Sequence, residues 1–216
     1  MKKIIPFLFA GLFLLSSCGD KKIDSPSNEQ SETQEVTQEI PTDRIRDIET
    51  IEDFEYEIID NSATITKYTG TSTAVEVPAE IEGVPVTKIG FYAFEAQYDI
   101  ETVQLPETIE LICQGAFMDC ASMKSINLPE SLTAIERGAF VSCTSLESLV
   151  IPSAVESIAM EAFTACESMT SLTINSPNLE YTEWGLEELP NITIYADENS
   201  DIYKWATEKG LAVSVL

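Results

Sequence analysis

Histidine is absent from this chain. That excludes Ser-His-Asp and Cys-His nucleophilic catalysis, HExxH zinc sites and any zinc site that needs an imidazole. Basic side chains are scarce. Twelve lysines and arginines stand against 37 aspartates and glutamates, for a formal charge of −25. A field of that sign repels nucleic acid and anionic headgroups, so a nucleic-acid partner is not expected. No aspartate-rich loop has calcium-ligand spacing, and neither a metal nor a cofactor is expected. Long apolar runs are lacking too. The one candidate, residues 4–15, is interrupted by Pro6 and Gly11 and is short for a bilayer.

That run follows Met1-Lys2-Lys3 and ends in Leu15-Ser16-Ser17-Cys18. A charged start, an apolar stretch and small residues read as an export signal over residues 1–17. The closing string resembles the bacterial lipoprotein box. The resemblance implies that Cys18 becomes the first mature residue and carries three acyl chains. Two such chains suffice for stable anchoring, at roughly 0.8 kcal/mol per buried CH₂. The alternative is ordinary cleavage near Ser17 with Cys18 left free. Residues 18–52 then read as the lipidated cysteine and a polar tether. Residues 19–41 hold almost no large apolar group, which predicts disorder and a reach of roughly 25–30 Å. Ile45, Ile48 and Ile51 stand three apart, so a short helix over 42–52 is one expectation.

From residue 53 the chain keeps a period. Phe94, Phe117, Phe140 and Phe163 each follow an alanine, and each stands 23 residues from the last. Residues 100–122, 123–145 and 146–168 superpose without a gap, and 169–174 begin another copy. A fixed period of this length is the mark of a stacked-repeat architecture. Such units cannot bury their apolar faces alone, so several must stack. In each copy an apolar-x-x-apolar-x-apolar segment predicts a short strand, parallel to its neighbours. Pro106, Pro129 and Pro152 end these strands because proline has no N–H to donate. The Ala-Phe pairs form a spine, with Ala small enough for close approach.

Both ends depart from the period. Residues 54–59 and 63–68 alternate around Asp60-Asn61 and predict a β-hairpin that caps the open edge. Residues 75–99 form a first, irregular repeat with an insertion at 82–86. At the other end Gly185-Leu186 stand where Ala-Phe is expected. Residues 189–194 read as a last strand, followed by a helix from Asn199 or Ser200 to about Lys209, stopped by Gly210.

The 23-residue unit, apolar-x-x-apolar-x-Leu-Pro-x-Ser-Leu-x-x-Ile-x-x-x-Ala-Phe-x-x-Cys, resembles the BspA-type, or Treponema-type, leucine-rich repeat. The resemblance covers residues 54–216. It implies a right-handed solenoid of 23-residue repeats, with short parallel strands on a concave face and turn or 3-10 segments opposite. A β-hairpin cap at the start and a helical cap at the end belong to the same expectation. It also implies a secreted or surface protein, some relatives of which bind extracellular matrix proteins or mediate adhesion.

Three cysteines, Cys120, Cys143 and Cys166, share one column of the repeat. Export favours disulfides, and adjacent repeats are close enough for one. Three cysteines cannot all pair with each other, however, and one column cannot form a tetrahedral metal site. They read as buried structural thiols, part of the spine with the four phenylalanines. Positions alternating outward from the strands are Thr102 and Gln104, Ser125 and Asn127, Ser148 and Val150, Ser171 and Thr173, then Thr193. This row is either a polar surface for a protein or a glycan, or a row of small groups in a crowded curved sheet. Aromatic and arginine anchors are almost missing from it. Trp184 falls in an irregular stretch that reads as a binding loop or a cap. Glu187-Glu188 as glycosidase carboxylates would need a sugar-wide separation and one raised pKa.

The expectation is a non-catalytic, lipid-anchored interaction or adhesion module at the bacterial cell surface. Its membrane contact would run through Cys18, its ligand would be a protein or a glycan, and its state a monomer. A scaffold role inside the cell envelope is the alternative, with a hydrolase a distant third.

Overall fold

In the computed structural model, residues 49–216 are described, apart from residues 178 and 180. The expected export signal, Cys18 and the bulk of the tether lie outside them.

The domain opens with three antiparallel strands: β1 (Glu49–Ile51), β2 (Phe54–Ile59) and β3 (Ser62–Tyr68). Asp60 and Asn61 both take positive φ, 51° and 61°, the twist that a two-residue hairpin needs. β1 stands where the last residues of the short helix expected over 42–52 would fall; residues 42–48 of that expectation lie outside the described ones. Three isoleucines spaced three apart suit a helix. The free main-chain edge of β2 offers hydrogen bonds, and the strand forms there instead. Next come β4 (Ala74–Glu76), β5 (Glu80–Ile81) and β6 (Val84–Ile89). The insertion at 82–86 is a second tight hairpin, β5 against β6, turned by Glu82 and Gly83 at φ 54° and 78°.

The regular repeats each supply two strands: β7 (Thr102–Gln104) and β8 (Leu111–Ile112), β9 (Ser125–Ile126) and β10 (Ala134–Ile135), β11 (Ser148–Ile151) and β12 (Ser157–Ile158). β13 (Ser171–Ile174) and β14 (Thr193–Ala196) continue the first set, and helix α1 (Asp201–Glu208) leads to β15 (Ala212–Val215). The result is a parallel β-solenoid of about seven turns. One ladder runs β4-β7-β9 and, past a break in the strand pairing, β11-β13-β14-β15. A second runs β3-β6-β8-β10-β12. Its members are two residues long in the regular repeats, too short to announce themselves in the sequence. β15 was also not foreseen. It pairs in parallel with β14, so the array ends on a strand beyond the capping helix.

A third hydrogen-bonded track has no strand geometry. Phe94, Phe117 and Phe140 donate their N–H groups to the carbonyls of Ala116, Ala139 and Ala162 of the next repeat at 2.8–2.9 Å. Tyr92, Gly115, Gly138, Glu161 and Glu183 turn this track with φ between 55° and 63°. Only two of them are glycine. A left-handed non-glycine residue costs about 1–2 kcal/mol. The conformation holds because Tyr92 and Glu161 each donate their N–H to the next turn, to Gln114 and Glu183. The proline-x-serine of the motif has a partner as well: Ser131 Oγ donates to the Ile109 carbonyl of the preceding repeat at 2.7 Å.

Inside the track the rings stack. Tyr68, Phe94, Phe117, Phe140 and Phe163 follow at centroid separations of 5.3, 5.0, 5.5 and 5.9 Å, with interplanar angles of 5–26°. All four phenylalanines are fully buried. Phe54 packs against Tyr68 at one end, and Trp184 meets Phe163 edge-on at 87° at the other. The last repeat slips by one residue. Phe163 donates to the carbonyl of Trp184, so Trp184-Gly185, and not Gly185-Leu186, occupies the Ala-Phe position. Trp184 is fully buried, its indole N–H on the Ile158 carbonyl at 2.9 Å. It closes the spine and forms no exposed loop.

The cysteines sit beside the rings. Cys120, Cys143 and Cys166 donate S–H to the carbonyls of Phe94, Phe117 and Phe140 at 3.1–3.2 Å. Each of those carbonyls also takes an N–H from within its own turn, from Gln97, Cys120 and Cys143. The thiol therefore fills the second lone pair of a buried acceptor. Gln97 is the first member of the column, its amide nitrogen donating to the Tyr68 carbonyl at 3.3 Å. No thiol of the described residues is in a disulfide.

Three outcomes are expected. Phe140→Ala removes a ring from mid-stack and should lower unfolding free energy by about 3–5 kcal/mol in urea titration; a loss below about 1 kcal/mol would show that the rings are not one continuous core. Burial pushes Cys120 and Cys166 up to about 12 from an ordinary 9.0. Unfolded thiols thus release protons from pH 9 upward while folded ones keep theirs. This contribution to stability is full below pH 9 and falls as pH rises towards 12. A disulfide reagent at pH 8 should label the three column thiols only after unfolding; rapid labelling of the folded chain would refute their burial.

Candidate functional site

Two surfaces offer themselves, one on the outside of each ladder. On the first, main-chain pairing locks the outward residues into rows. Thr102 stands beside Ser125, and Ser148 beside Ser171 and then Thr193. A second row holds Val150, Thr173 and Tyr195. Ser125, Ser148, Gln104 and Val150 are exposed, and Thr102, Ser171, Thr173 and Thr193 are half-buried. Their inward neighbours Val103, Leu149, Leu172 and Ile194 are buried. Eight of the nine expected residues stand on the outward side of these strands, in two paired blocks on β7 and β9 and on β11, β13 and β14.

Asn127 departs from this. Its side-chain oxygen accepts from the Leu105 N–H at 2.6 Å, and its amide nitrogen donates to the Leu105 carbonyl at 2.8 Å. β9 is two residues long, and this side chain does the work that main chain does between β11 and β13. Asn127 is a clamp between repeats, with one acceptor and one donor of its amide committed to Leu105. At the N-terminal end of the face, Gln104, Glu52 and Glu76 border a groove of about 620 Å³ with Pro78 and Pro106.

The second surface did not emerge from the repeat pattern. Outside the second ladder lies a groove of about 630 Å³. Thr66, Gly90 and Cys113 form its floor, Ile59 and Phe91 its apolar edge, and Asp60, Lys88 and Glu136 its charged rim. Gly90, Cys113, Glu136 and Ala159 are one column, each donating its N–H to the isoleucine carbonyl of the preceding turn. Glycine and cysteine leave the floor low. A Cβ on Gly90 would lie 2.7 Å from the Ile65 carbonyl oxygen. Phe91 is 63% and Ile59 52% exposed. The signal that could have found this groove is Gly90-Phe91, where the smallest residue of a column stands beside a large apolar one.

Glu187 and Glu188 sit on a short 3-10 turn, Leu186–Glu188, both exposed. Glu187 accepts a hydrogen bond from the Tyr181 hydroxyl. Burial and this carboxylate push the Tyr181 phenol well above its ordinary range, and its ring stacks on Trp205 of α1. That corner is the packing of the helical cap. Among the described residues, no group of histidine, cysteine, aspartate or glutamate side chains is placed to hold a metal. No helix among them is long and apolar enough to cross a membrane.

Residues 87–202 match the model of the BspA type leucine rich repeat region, in six copies. No curated protein matches the chain. Among solved structures, the chain is similar to a T. pallidum leucine rich repeat protein, at 26% identity over 70% of this chain and 76% of that one, with a TM-score of 0.62. A leucine-rich repeat protein from Bacteroides capillosus shares 31% identity over 59% of this chain and 97% of that one, TM-score 0.54. A leucine rich cell surface protein from Faecalibacterium prausnitzii shares 28% over 68% and 44%, TM-score 0.55. Period, ring spine, cysteine column and family match agree: the chain belongs to the BspA-type leucine-rich repeat family.

Proposed function

We propose that this protein is an exported, lipid-anchored interaction module that binds a protein or glycan partner at the bacterial cell surface, without catalysis. The observation that carries this reading is the register-locked outer face of the first ladder. Main-chain pairing sets small hydroxyl groups side by side in two blocks, Thr102 with Ser125 and Ser148 with Ser171 and Thr193, with Gln104, Val150 and Thr173 beside them. Such a face offers donors and acceptors at a fixed spacing and needs no rearrangement to meet a repetitive partner. The absence of histidine supports a non-catalytic role. One of the similar structures is named a cell surface protein, which supports the location. Leu15-Ser16-Ser17-Cys18 supports lipid attachment, and the polar residues 19–41 support a tether that lifts the domain away from its membrane.

Two measurements test this. Protease treatment of intact cells, followed with an antibody to residues 54–216 and a cytoplasmic lysis marker, should release the domain; full protection would move the protein inside the envelope. The purified full chain should bind members of a panel of extracellular matrix proteins and glycans. Lysine at Thr102, Ser125, Ser148 and Ser171 together should cut that binding at least about tenfold with thermal unfolding unchanged. Equal binding would take the site off this face.

A further inference from the structure

The groove outside the second ladder is separate from the hydroxyl face, and four of its features point the same way. Its depth comes from the sequence, since Gly90 and Cys113 are small where the same column later carries Glu136. Two large apolar side chains border it uncovered, Phe91 at 63% and Ile59 at 52% exposure. In a chain with this much charge such residues are normally turned inward or kept apart. On its floor, Thr66 Oγ1 is buried and has no hydrogen-bond partner among the described residues. A buried hydroxyl in that state is uncommon and calls for a group that completes it. Finally, carboxylates stand at both ends of the rim, Asp60 in the β2–β3 turn and Glu136 after β10, against the one lysine, Lys88. Glu136 already accepts the Gln114 N–H through one oxygen at 2.8 Å, which fixes the carboxylate in place.

We propose that this groove is a docking site for an extended protein segment that carries a large apolar side chain next to lysine or arginine. The apolar side chain sits over Gly90 and Cys113 against Phe91 and Ile59. The neighbouring cation reaches Asp60 or Glu136. The strongly negative field of the chain, −25 overall, speeds the approach of such a segment, while the groove decides where it stops.

The test uses the full chain and a short fluorescein-labelled peptide whose leucines are flanked by lysines, followed by anisotropy. The peptide should bind. A version with serine for leucine should bind at least about tenfold more weakly, as should the original peptide to Phe91→Ala. The conservative pair Asp60→Asn with Glu136→Gln should weaken binding similarly, because asparagine tolerates the left-handed turn and glutamine keeps an acceptor for Gln114. Glu187→Gln with Glu188→Gln, on the opposite cap, should change nothing. Circular dichroism should show each variant folded. The proposal falls if the peptide does not bind, if the serine version binds equally, if Phe91→Ala has no effect, or if the distant carboxylates matter as much as the rim. Glycans that bind through Phe91 where the peptide does not would also overturn it. None of these outcomes touches the hydroxyl face, whose lysine variants leave the groove intact.

Discussion

The spacing of the ring column governs the rest of the domain. Parallel strands sit roughly 4.8 Å apart, and stacked aromatic rings are comfortable at about 4.5–7 Å. The observed steps of 5.0–5.9 Å satisfy both at once. Each turn must therefore bring its ring, its two strand segments and its corner carbonyls into the same advance. That demand explains the constant 23-residue length, and also why strained corners persist. Tyr92 and Glu161 hold left-handed backbone because any other conformation would lift their N–H groups off the next turn.

The same constraint assigns work to side chains that look incidental. The phenylalanine carbonyls point into a corner where one N–H is available and a second donor is wanted. A thiol is small, weakly polar and stable in apolar surroundings, and three repeats use one. At the first repeat the acceptor is the Tyr68 carbonyl and the donor is the longer amide of Gln97, which stands 23 residues before Cys120. Asn127 does a related service on the first ladder. Where β9 is too short to complete its pairing, the primary amide supplies a donor and an acceptor in one group.

Much of this was legible in the residues. The period, the Ala-Phe spine, the proline stops and the alternation of Val103, Leu105 and their equivalents follow from side-chain size and polarity alone. The N-terminal hairpin could be read from Asp60-Asn61. Other features were hidden because they depend on partners distant in sequence. β1 forms on an edge that exists only once β2 is in place. The second ladder has two-residue members, below the length at which alternation can be counted. Asn127 sits at an outward position and looked like its neighbours, and only its contact with Leu105 separates it from them. Trp184 seemed irregular because the slip of one residue conceals that it closes the spine. The groove was missed for a related reason. Its walls come from β2, β3, β6, β8 and β10, and no single repeat contains its outline.

The edge-on meeting of Phe163 with Trp184 also limits how the array can grow. A face-stacked ring accepts another ring above it, so an extra 23-residue copy inserted anywhere between Phe94 and Phe163 meets a matching surface on both sides. Beyond Trp184 it does not, because the indole presents its edge and has already committed its N–H to Ile158. Duplication of a ring-bearing repeat is structurally permitted upstream of this residue, whereas the chain beyond it adds β14 and β15 to the first ladder without lengthening the face-stacked column.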